Sequence, residues 1–245
     1  SFIRRSRGYV PSSIPLKSGS GSQKDILALG AEMNSSFCIV KDNKAILSQY
    51  MGTTSNYDTF ENMKKSIRKI LALTGSKPKV ILCDLHPGYS TTAYAKELAE
   101  ELGAEIFPVQ HHIAHAYSVA AEHGLIDRDF TAIVCDGLGY GSDETLWGGE
   151  IFQNNMRIGH LEPHLQLGGD SATVYPHKML FGILSKFMDD TELEQMMKND
   201  FNKQEVSLFS SQLKQKFNSP ITTSCGRVLD AASALLGFCR EKTYD

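Results

Sequence analysis

A chain of 245 residues can form one large or two small domains, and 41% hydrophobic with 22% charged residues is the composition of an ordinary globular protein. The formal net charge of -3 gives no reason to expect nucleic acid as the main partner. The sequence has neither an apolar run long enough to span a bilayer nor a secretory leader at its start. We therefore expect a cytoplasmic protein with no membrane partner.

The five cysteines are odd in number, widely spaced and without a CxxC pair. This pattern argues against a disulfide framework or a cysteine zinc site and favours a reducing compartment. Cys38, Cys83 and Cys135 lie in apolar runs, so we expect them to be buried as small hydrophobic side chains.

The first 22 residues differ in composition from the rest of the chain. A basic run at residues 3–9 precedes a stretch at 11–22 that is rich in Pro, Ser and Gly and is typical of a linker. A domain is therefore predicted to begin near Gln23.

Short apolar runs then predict strands at residues 25–30, 36–40 and 45–49, with a hairpin turn at Asp42-Asn43. Apolar residues at helical spacing predict a helix over 59–73, with Thr59 as its N-cap. A strand at 80–83, a helix at 91–102 and a strand at 105–109 follow. The predicted order is βββαβαβ.

Three histidines come next, at positions 111, 112 and 115, where an apolar run meets a helix-forming run over 114–122. If the helix begins at the first of them, His111 and His115 lie one turn apart on one face, with Cβ atoms about 5–6 Å apart. Neutral imidazoles at that separation can share a zinc, iron, nickel or copper ion. The alternative is that they cap the helix or satisfy hydrogen bonds in the core. His112 is expected to support the ligands or to face a substrate.

A second series of strands is predicted at 132–135, ending in Asp136, and at 145–151 and 156–161. The βββ unit thus begins twice, about a hundred residues apart, which indicates two related lobes rather than a solenoid of shorter repeats. In such α/β sheets, ligands bind at the carboxyl ends of strands.

Two glycine-containing segments could carry chemistry at such ends. Asp136 is followed by Gly137, Gly139 and Gly141 at alternate positions. Glycines let backbone amides approach a phosphate and adopt positive φ, and an aspartate can bind a metal, so a phosphate or metal loop is favoured over an ordinary turn. The same reasoning applies more weakly to residues 167–170 (LGGD).

Three other segments leave alternatives open. Asp84 and His86 follow a strand, and they either face the cleft or form a turn in which Asp84 accepts backbone amides. Residues 223–227 precede a predicted helix and form either an anion-binding N-terminus or a simple cap by Ser224. The charged residues 189–203 are expected to form a solvated helical face.

Seven strings together permit a comparison with a known family. They are RRSRGYVP (4–11), LALGAEMNSSFC (27–38), CDLHPGYSTT (83–92), VQHHIAHAYSVAAEHG (109–124), DGLGYGSDETLWGGE (136–150), GGDSA (168–172) and SCGRVLDAASALLG (224–237). In these strings the chain resembles the HypF family of carbamoyltransferases of [NiFe]-hydrogenase maturation, specifically their Kae-type domain.

The resemblance implies an α/β fold of the ASKHA type, with two ribonuclease-H-like lobes around an ATP cleft. Residues 1–22 would be the tail of a YrdC-like domain and a linker, 23–128 the first lobe with the histidine helix, and 129–245 the beginning of the second lobe. The family's acylphosphatase-like domain and zinc fingers have no counterpart in these strings. We therefore expect a fragment whose second lobe is incomplete.

The resemblance also implies a reaction and a set of site residues. In this family carbamoyl phosphate and ATP yield carbamoyl adenylate, and the Kae-type domain transfers the carbamoyl group to the C-terminal cysteine of HypE. His111, His115 and Asp136 would be the metal ligands and catalytic residues, with zinc or iron bound and Mg²⁺ as a further candidate. The implied nucleotide-binding residues are Gly137, Gly139, Gly141, Gly168, Gly169, Asp170 and Lys178, the last reaching the phosphates.

Two other functions fit the same strings. One is a related carbamoyltransferase that acts on tRNA or on a small-molecule hydroxyl, although the weak basic character of the chain speaks against tRNA. The other is a non-catalytic nucleotide-binding module that only positions HypE.

Overall fold

The computed structural model describes residues 13–16 and 24–243. The predicted basic run at 3–9 lies outside the described residues. By its internal contacts the chain divides into two compact units between Phe130 and Thr131, and the predicted boundary lies between residues 128 and 129.

The first unit is built on a six-stranded sheet of order β1-β4-β3-β2-β5-β6. Its strands are β1 Ser13–Pro15, β2 Ile26–Leu29, β3 Phe37–Lys41, β4 Lys44–Leu47, β5 Val80–Asp84 and β6 Glu105–Val109. β2, β5 and β6 run parallel, whereas β1, β4, β3 and β2 pair antiparallel. The predicted hairpin turn is confirmed, because Asp42 and Asn43 both have positive φ, of 49° and 57°, as a two-residue hairpin turn requires.

Among the described residues of this unit there are three helices: α1 Tyr57–Thr74, α2 Ser90–Leu102 and α3 His111–Glu122. Met63 and Ile67 of α1 and Leu98 of α2 are buried in one cluster with the apolar side chains of β2, β3 and β5. The prediction of Thr59 as N-cap of α1 was wrong. Asn56 is the cap, and its side chain accepts the N–H of Thr59, because the helix begins earlier than the apolar pattern indicates.

The second unit contains a five-stranded sheet of order β10-β11-β8-β7, with β9 also paired to β8. Its strands are β7 Thr131–Tyr140, β8 Leu146–Gln153, β9 Met156–His160, β10 His164–Leu165 and β11 Ile221–Thr222. The antiparallel series β7-β8-β9 repeats the arrangement of β2-β3-β4, as predicted. Asp136 does not end its strand, however. β7 continues to Tyr140 through an irregularity between Cys135 and Gly139.

Five helices accompany this sheet: α4 Ser171–Val174, α5 Pro176–Leu184, α6 Asp190–Met196, α7 Lys203–Lys214 and α8 Cys225–Leu235. Their apolar faces form a second cluster around Phe181 and Met179. The expectation of one solvated helical face over 189–203 was too simple. That segment holds α6 and the start of α7, each opened by a capping box, and Leu193 is buried.

The predicted α/β class with two sheets is confirmed. The burial of the cysteines agrees with expectation at Cys83 only, since Cys38 is half-buried and Cys135 is exposed on its strand. Burial raises the pKa of the Cys38 thiol to about 11. Within the described ranges, none of the helices combines the length and apolar character needed to cross a bilayer.

Candidate functional site

The histidine pair lies in the first turn of α3. Gln110 is the N-cap, and its side-chain oxygen accepts the N–H groups of His112 and Ile113, at 2.7 and 3.1 Å. This cap starts the helix at His111, so His111 and His115 share one face as the spacing predicts. Their Nε2 atoms lie 3.1 Å apart.

A buried carboxylate supports one member of the pair. β5 ends at Asp84, which lies opposite Val109 at the end of β6, and α3 follows β6 directly. This connection brings Asp84 Oδ2 to 3.1 Å from His111 Nδ1. The other oxygen, Oδ1, accepts the N–H of His86 at 2.8 Å. The turn predicted as one alternative for Asp84 is confirmed, because Asp84 accepts a backbone amide, and its second oxygen also contacts a candidate ligand.

The geometry of the pair suits a divalent metal. Two imidazole nitrogens bound to a tetrahedral zinc ion at about 2.0–2.1 Å are about 3.3 Å apart, and His111 and His115 present theirs at 3.1 Å. A metal-binding histidine ordinarily donates its other ring N–H to a carboxylate or carbonyl, and Asp84 is placed to accept it from His111. The imidazole donors fit zinc or iron, which were the predicted metals.

The other two histidines of this region do not resemble ligands. His112 is fully buried, and its Nδ1 lies 3.0 Å from the amide nitrogen of Gln110. The expectation that His112 faces a substrate is therefore wrong, whereas its edge-on contact with the ring of His111 allows a supporting role. The ring of His86 stacks on Tyr89 and accepts the N–H of Gly88.

Asp136 and the glycines after it belong to the second unit. Asp136 Oδ1 accepts the N–H of Gly137 at 2.6 Å. Gly137, Gly139 and Gly141 lie in or directly after β7, and none of the three adopts positive φ. The expectation that these glycines adopt positive φ was wrong, because β7 continues through Gly137 and Gly139. The roles of Asp136 as a metal ligand and of the glycines along a nucleotide stay predictions.

The turn that follows β7 is organised by Asp143 and Trp147. Asp143 Oδ1 accepts the indole N–H of Trp147 at 2.8 Å, and also the N–H and the hydroxyl of Thr145. Only glycine fits at position 141, because the Cβ of any other residue there would overlap the indole nitrogen of Trp147. Close packing therefore explains this glycine.

Sequence reasoning missed an ion-pair network beside this turn. Glu150 is buried and accepts Arg157 Nε at 2.6 Å, two backbone amides and the hydroxyl of Thr223. Burial alone would raise the pKa of Glu150, but these donors hold it below its ordinary value. The guanidinium of Arg157 lies 4.0 Å from the ring centroid of Trp147. The only sequence signal was the position of Glu150 after a glycine pair in a strand.

The GGD segment has the positive φ expected of its glycines, and its role as a phosphate site stays a prediction. Gly168 and Gly169 adopt φ of 78° and 56°, which L side chains rarely adopt. Ser171 follows them at the start of α4, and Lys178 Nζ donates to its hydroxyl at 3.0 Å. The N–H groups of Gly169, Ser171 and Ala172 already donate to carbonyls within the turn, so the Lys178 ammonium group is the donor best placed to bind an anion here. Asp170 begins α4 without a side-chain capping bond.

At α8 the simple cap proves correct. Ser224 Oγ accepts the N–H of Arg227 at 3.1 Å and donates to the carbonyl of Gly137 at 2.6 Å. Residues 223–227 therefore cap the helix and attach it to β7.

Two family models match the chain. One, described as HypF Kae1-like domain, matches residues 21–122, and the other, described as carbamoyltransferase, Kae1-like domain, second subdomain, matches residues 132–245. Fold and matches together define a Kae1-like α/β protein with two subdomains.

Named relatives make the family specific. The probable carbamoyltransferase HypF of Methanocaldococcus jannaschii is 50% identical over 250 residues, covering 100% of this chain and 32% of the relative. The carbamoyltransferase HypF of Synechocystis sp. is 33% identical over 262 residues, covering 100% and 33%. The chain belongs to the HypF family of carbamoyltransferases, and it spans about a third of the length of these relatives.

Solved structures agree with this assignment. The crystal structure of T. kodakarensis HypF is 36% identical, with a TM-score of 0.87 over 99% of this chain and 33% of that one. A full-length HypF in a phosphate- and nucleotide-bound form is 32% identical, with a TM-score of 0.89 over 99% and 32%.

Proposed function

We propose that this chain is the carbamoyl-transferring part of a HypF-type enzyme. In the proposed reaction, ATP and carbamoyl phosphate provide carbamoyl adenylate, and the chain directs its carbamoyl group to the C-terminal cysteine of HypE. The partners are HypE and these two small molecules, with no membrane or nucleic acid involved, and the compartment is the cytoplasm. The observation that carries the proposal is the His111–His115 pair, which is held at ligand spacing in a chain of the HypF family.

His111 and His115 of the first unit would hold zinc or iron, with Mg²⁺ as another candidate ion, and the predicted role of Asp136 as a further ligand is part of the proposal. A bound divalent ion supplies Lewis-acid polarisation of a carbonyl or phosphate oxygen. The protein's own contribution is the rigid first turn of α3, which Gln110 caps and which limits how far the two imidazoles can separate.

In the second unit, the Gly168-Gly169 turn and Lys178 are proposed to bind phosphate oxygens of the nucleotide. The positive φ of both glycines and the ammonium group near Ser171 support this role. Asp170 and the glycines of β7 are proposed to lie along the same nucleotide.

The proposed transfer step is an acyl substitution at the carbamoyl carbon. The HypE thiolate forms a bond to the carbamoyl carbon, and the bond from that carbon to the phosphate oxygen breaks. AMP leaves with the electron pair, and Lys178 would stabilise its charge. The thiol proton goes to solvent.

The proposal is tested by replacing the matching third of Methanocaldococcus jannaschii HypF with this chain. The chimera is then given ATP, carbamoyl phosphate and the HypE of that organism, and intact HypE is weighed by mass spectrometry. We expect carbamoylation of HypE by the chimera and its loss in His115→Ala. His123→Ala is the matched control, since His123 lies at the other end of the same helix. Full transfer by His115→Ala would remove the metal role from the proposal. ATP binding and HypE capture without transfer would favour a docking module instead.

A further inference from the structure

The carboxylate of Asp84 contacts the histidine pair but is not itself a proposed metal ligand. Asp84 lies 27 residues before His111, and its Oδ2 is 3.1 Å from His111 Nδ1. Its side chain is only 5% exposed, whereas that of His111 is 25% exposed. We propose that Asp84 is a positioning residue that fixes the tautomer and the orientation of the His111 ring.

The position of Asp84 is determined from several sides. Its carbonyl accepts the hydroxyl of Thr92 at 3.1 Å, and its Oδ1 accepts the N–H of His86 at 2.8 Å. The next residue, Leu85, donates its N–H to Val109 at 3.0 Å, which joins the ends of β5 and β6. Because the main chain and Oδ1 of Asp84 are held in this way, Oδ2 is directed toward the His111 ring.

This contact determines which ring nitrogen carries the proton. A carboxylate is an acceptor only, so the neutral His111 ring must donate from Nδ1. Its Nε2 then carries a lone pair, and this is the nitrogen that lies 3.1 Å from His115 Nε2. In the metal-free chain, this lone pair can accept a hydrogen bond from His115 Nε2. Asp84 thus prepares the His111 nitrogen that the proposed function assigns to the metal, and in this respect the inference rests on that function.

The tautomer can be measured without metal. Two-bond ¹H–¹⁵N NMR spectra of the histidine-labelled chain are recorded at about pH 8.5, where an ordinary imidazole is neutral. The signals of His111 are assigned by their loss in His111→Ala. We expect the Nδ1–H form of His111 in the wild-type chain and a shift toward Nε2–H in Asp84→Ala. An unchanged tautomer in Asp84→Ala would overturn the inference.

The consequence for the metal is measured by zinc titration of the same proteins. Loss of a residue that orients a ligand typically weakens metal binding by about 10- to 100-fold, so the Kd for zinc should rise by that factor in Asp84→Ala. Asp25→Ala is the matched control. Asp25 accepts Ser76 Oγ and the N–H of Lys77, both at 2.8 Å, just before β2 and away from α3, and its removal should leave tautomer and Kd unchanged.

The two proposals fail in different ways. If no variant binds zinc but the tautomer changes in Asp84→Ala, the metal function fails and the role of Asp84 stands. If Asp84→Ala does not fold, as judged by circular dichroism, Asp84→Asn takes its place. Its amide oxygen can accept the N–H of His86, which leaves the NH2 group, a donor, facing His111 Nδ1. A wild-type proportion of the Nδ1–H tautomer in Asp84→Asn would then overturn the inference.

Discussion

The indole nitrogen of Trp147 donates to Asp143 Oδ1 at 2.8 Å, and Gly141 passes so close to this bond that it has no room for a side chain. This explains one of the alternating glycines by packing. Gly137 is different, because a Cβ built there meets nothing within 4 Å.

The roles of Gly141 and Gly137 can therefore be distinguished by experiment. We expect Gly141→Ala to destabilise the second unit by about 1–3 kcal/mol, the usual effect of overpacking. Gly137→Ala should leave stability unchanged and weaken ATP binding if Gly137 lies along the nucleotide. Urea unfolding followed by the fluorescence of Trp147, the single tryptophan, gives the stability, and calorimetric titration gives the affinity. Unchanged ATP binding in Gly137→Ala would argue against its predicted role.

Glu150 makes the stability of the second unit depend on pH. Its pKa is lowered in the folded protein, since Arg157 and its other donors outweigh the effect of burial. A lowered pKa stabilises the fold above the unfolded value of about 4.3, and this contribution is lost as the pH falls through the folded value. The urea midpoint of Trp147 fluorescence should therefore decrease from pH 6 to pH 3.

Glu150→Gln should lower that midpoint at pH 6 and flatten its dependence on pH. The matched control is Glu162→Gln, because Glu162 is exposed and its pKa is lowered by a surface pair with Lys186. A control with the same effect as Glu150→Gln would show that the network is not the cause.

Lys178 provides a test of the phosphate turn. Hydrogen bonds to charged groups contribute about 1.5–3 kcal/mol, so Lys178→Ala should weaken ATP binding about tenfold or more. Lys186→Ala removes a lysine that pairs with Glu162 and should leave the affinity unchanged. Calorimetric titration with ATP separates these outcomes, and equal affinities in the two variants would contradict the assignment.

Gln110 links helix stability to the histidine pair. Replacing a helix cap by alanine costs about 1 kcal/mol, and here two N–H groups in the turn of His111 lose their acceptor. Gln110→Ala should lower the melting temperature of the chain and raise its Kd for zinc, because the first turn frays. A lower melting temperature with an unchanged Kd would show that the cap does not order the ligands.

Local patterns in the sequence predicted much of the fold. Apolar periodicity located β2 to β6 with α1 and α2, and the asparagine-containing turn indicated the hairpin between β3 and β4. The HxxxH spacing predicted two imidazoles on one helix face, because the helical turn alone places residues i and i+4 together. Family-specific strings identified the HypF family, which the family models confirm.

Only the tertiary structure decided the contacts that join distant residues. Asp84 reaches His111 across 27 residues because β5 and β6 end side by side. Glu150 accepts the hydroxyl of Thr223, which lies 73 residues later in the chain. The length of β7 depends on its pairing with β8, which continues to Tyr140. Periodicity reports which face of an element is buried, whereas the partner of a buried polar group is set by the packing of whole strands and helices.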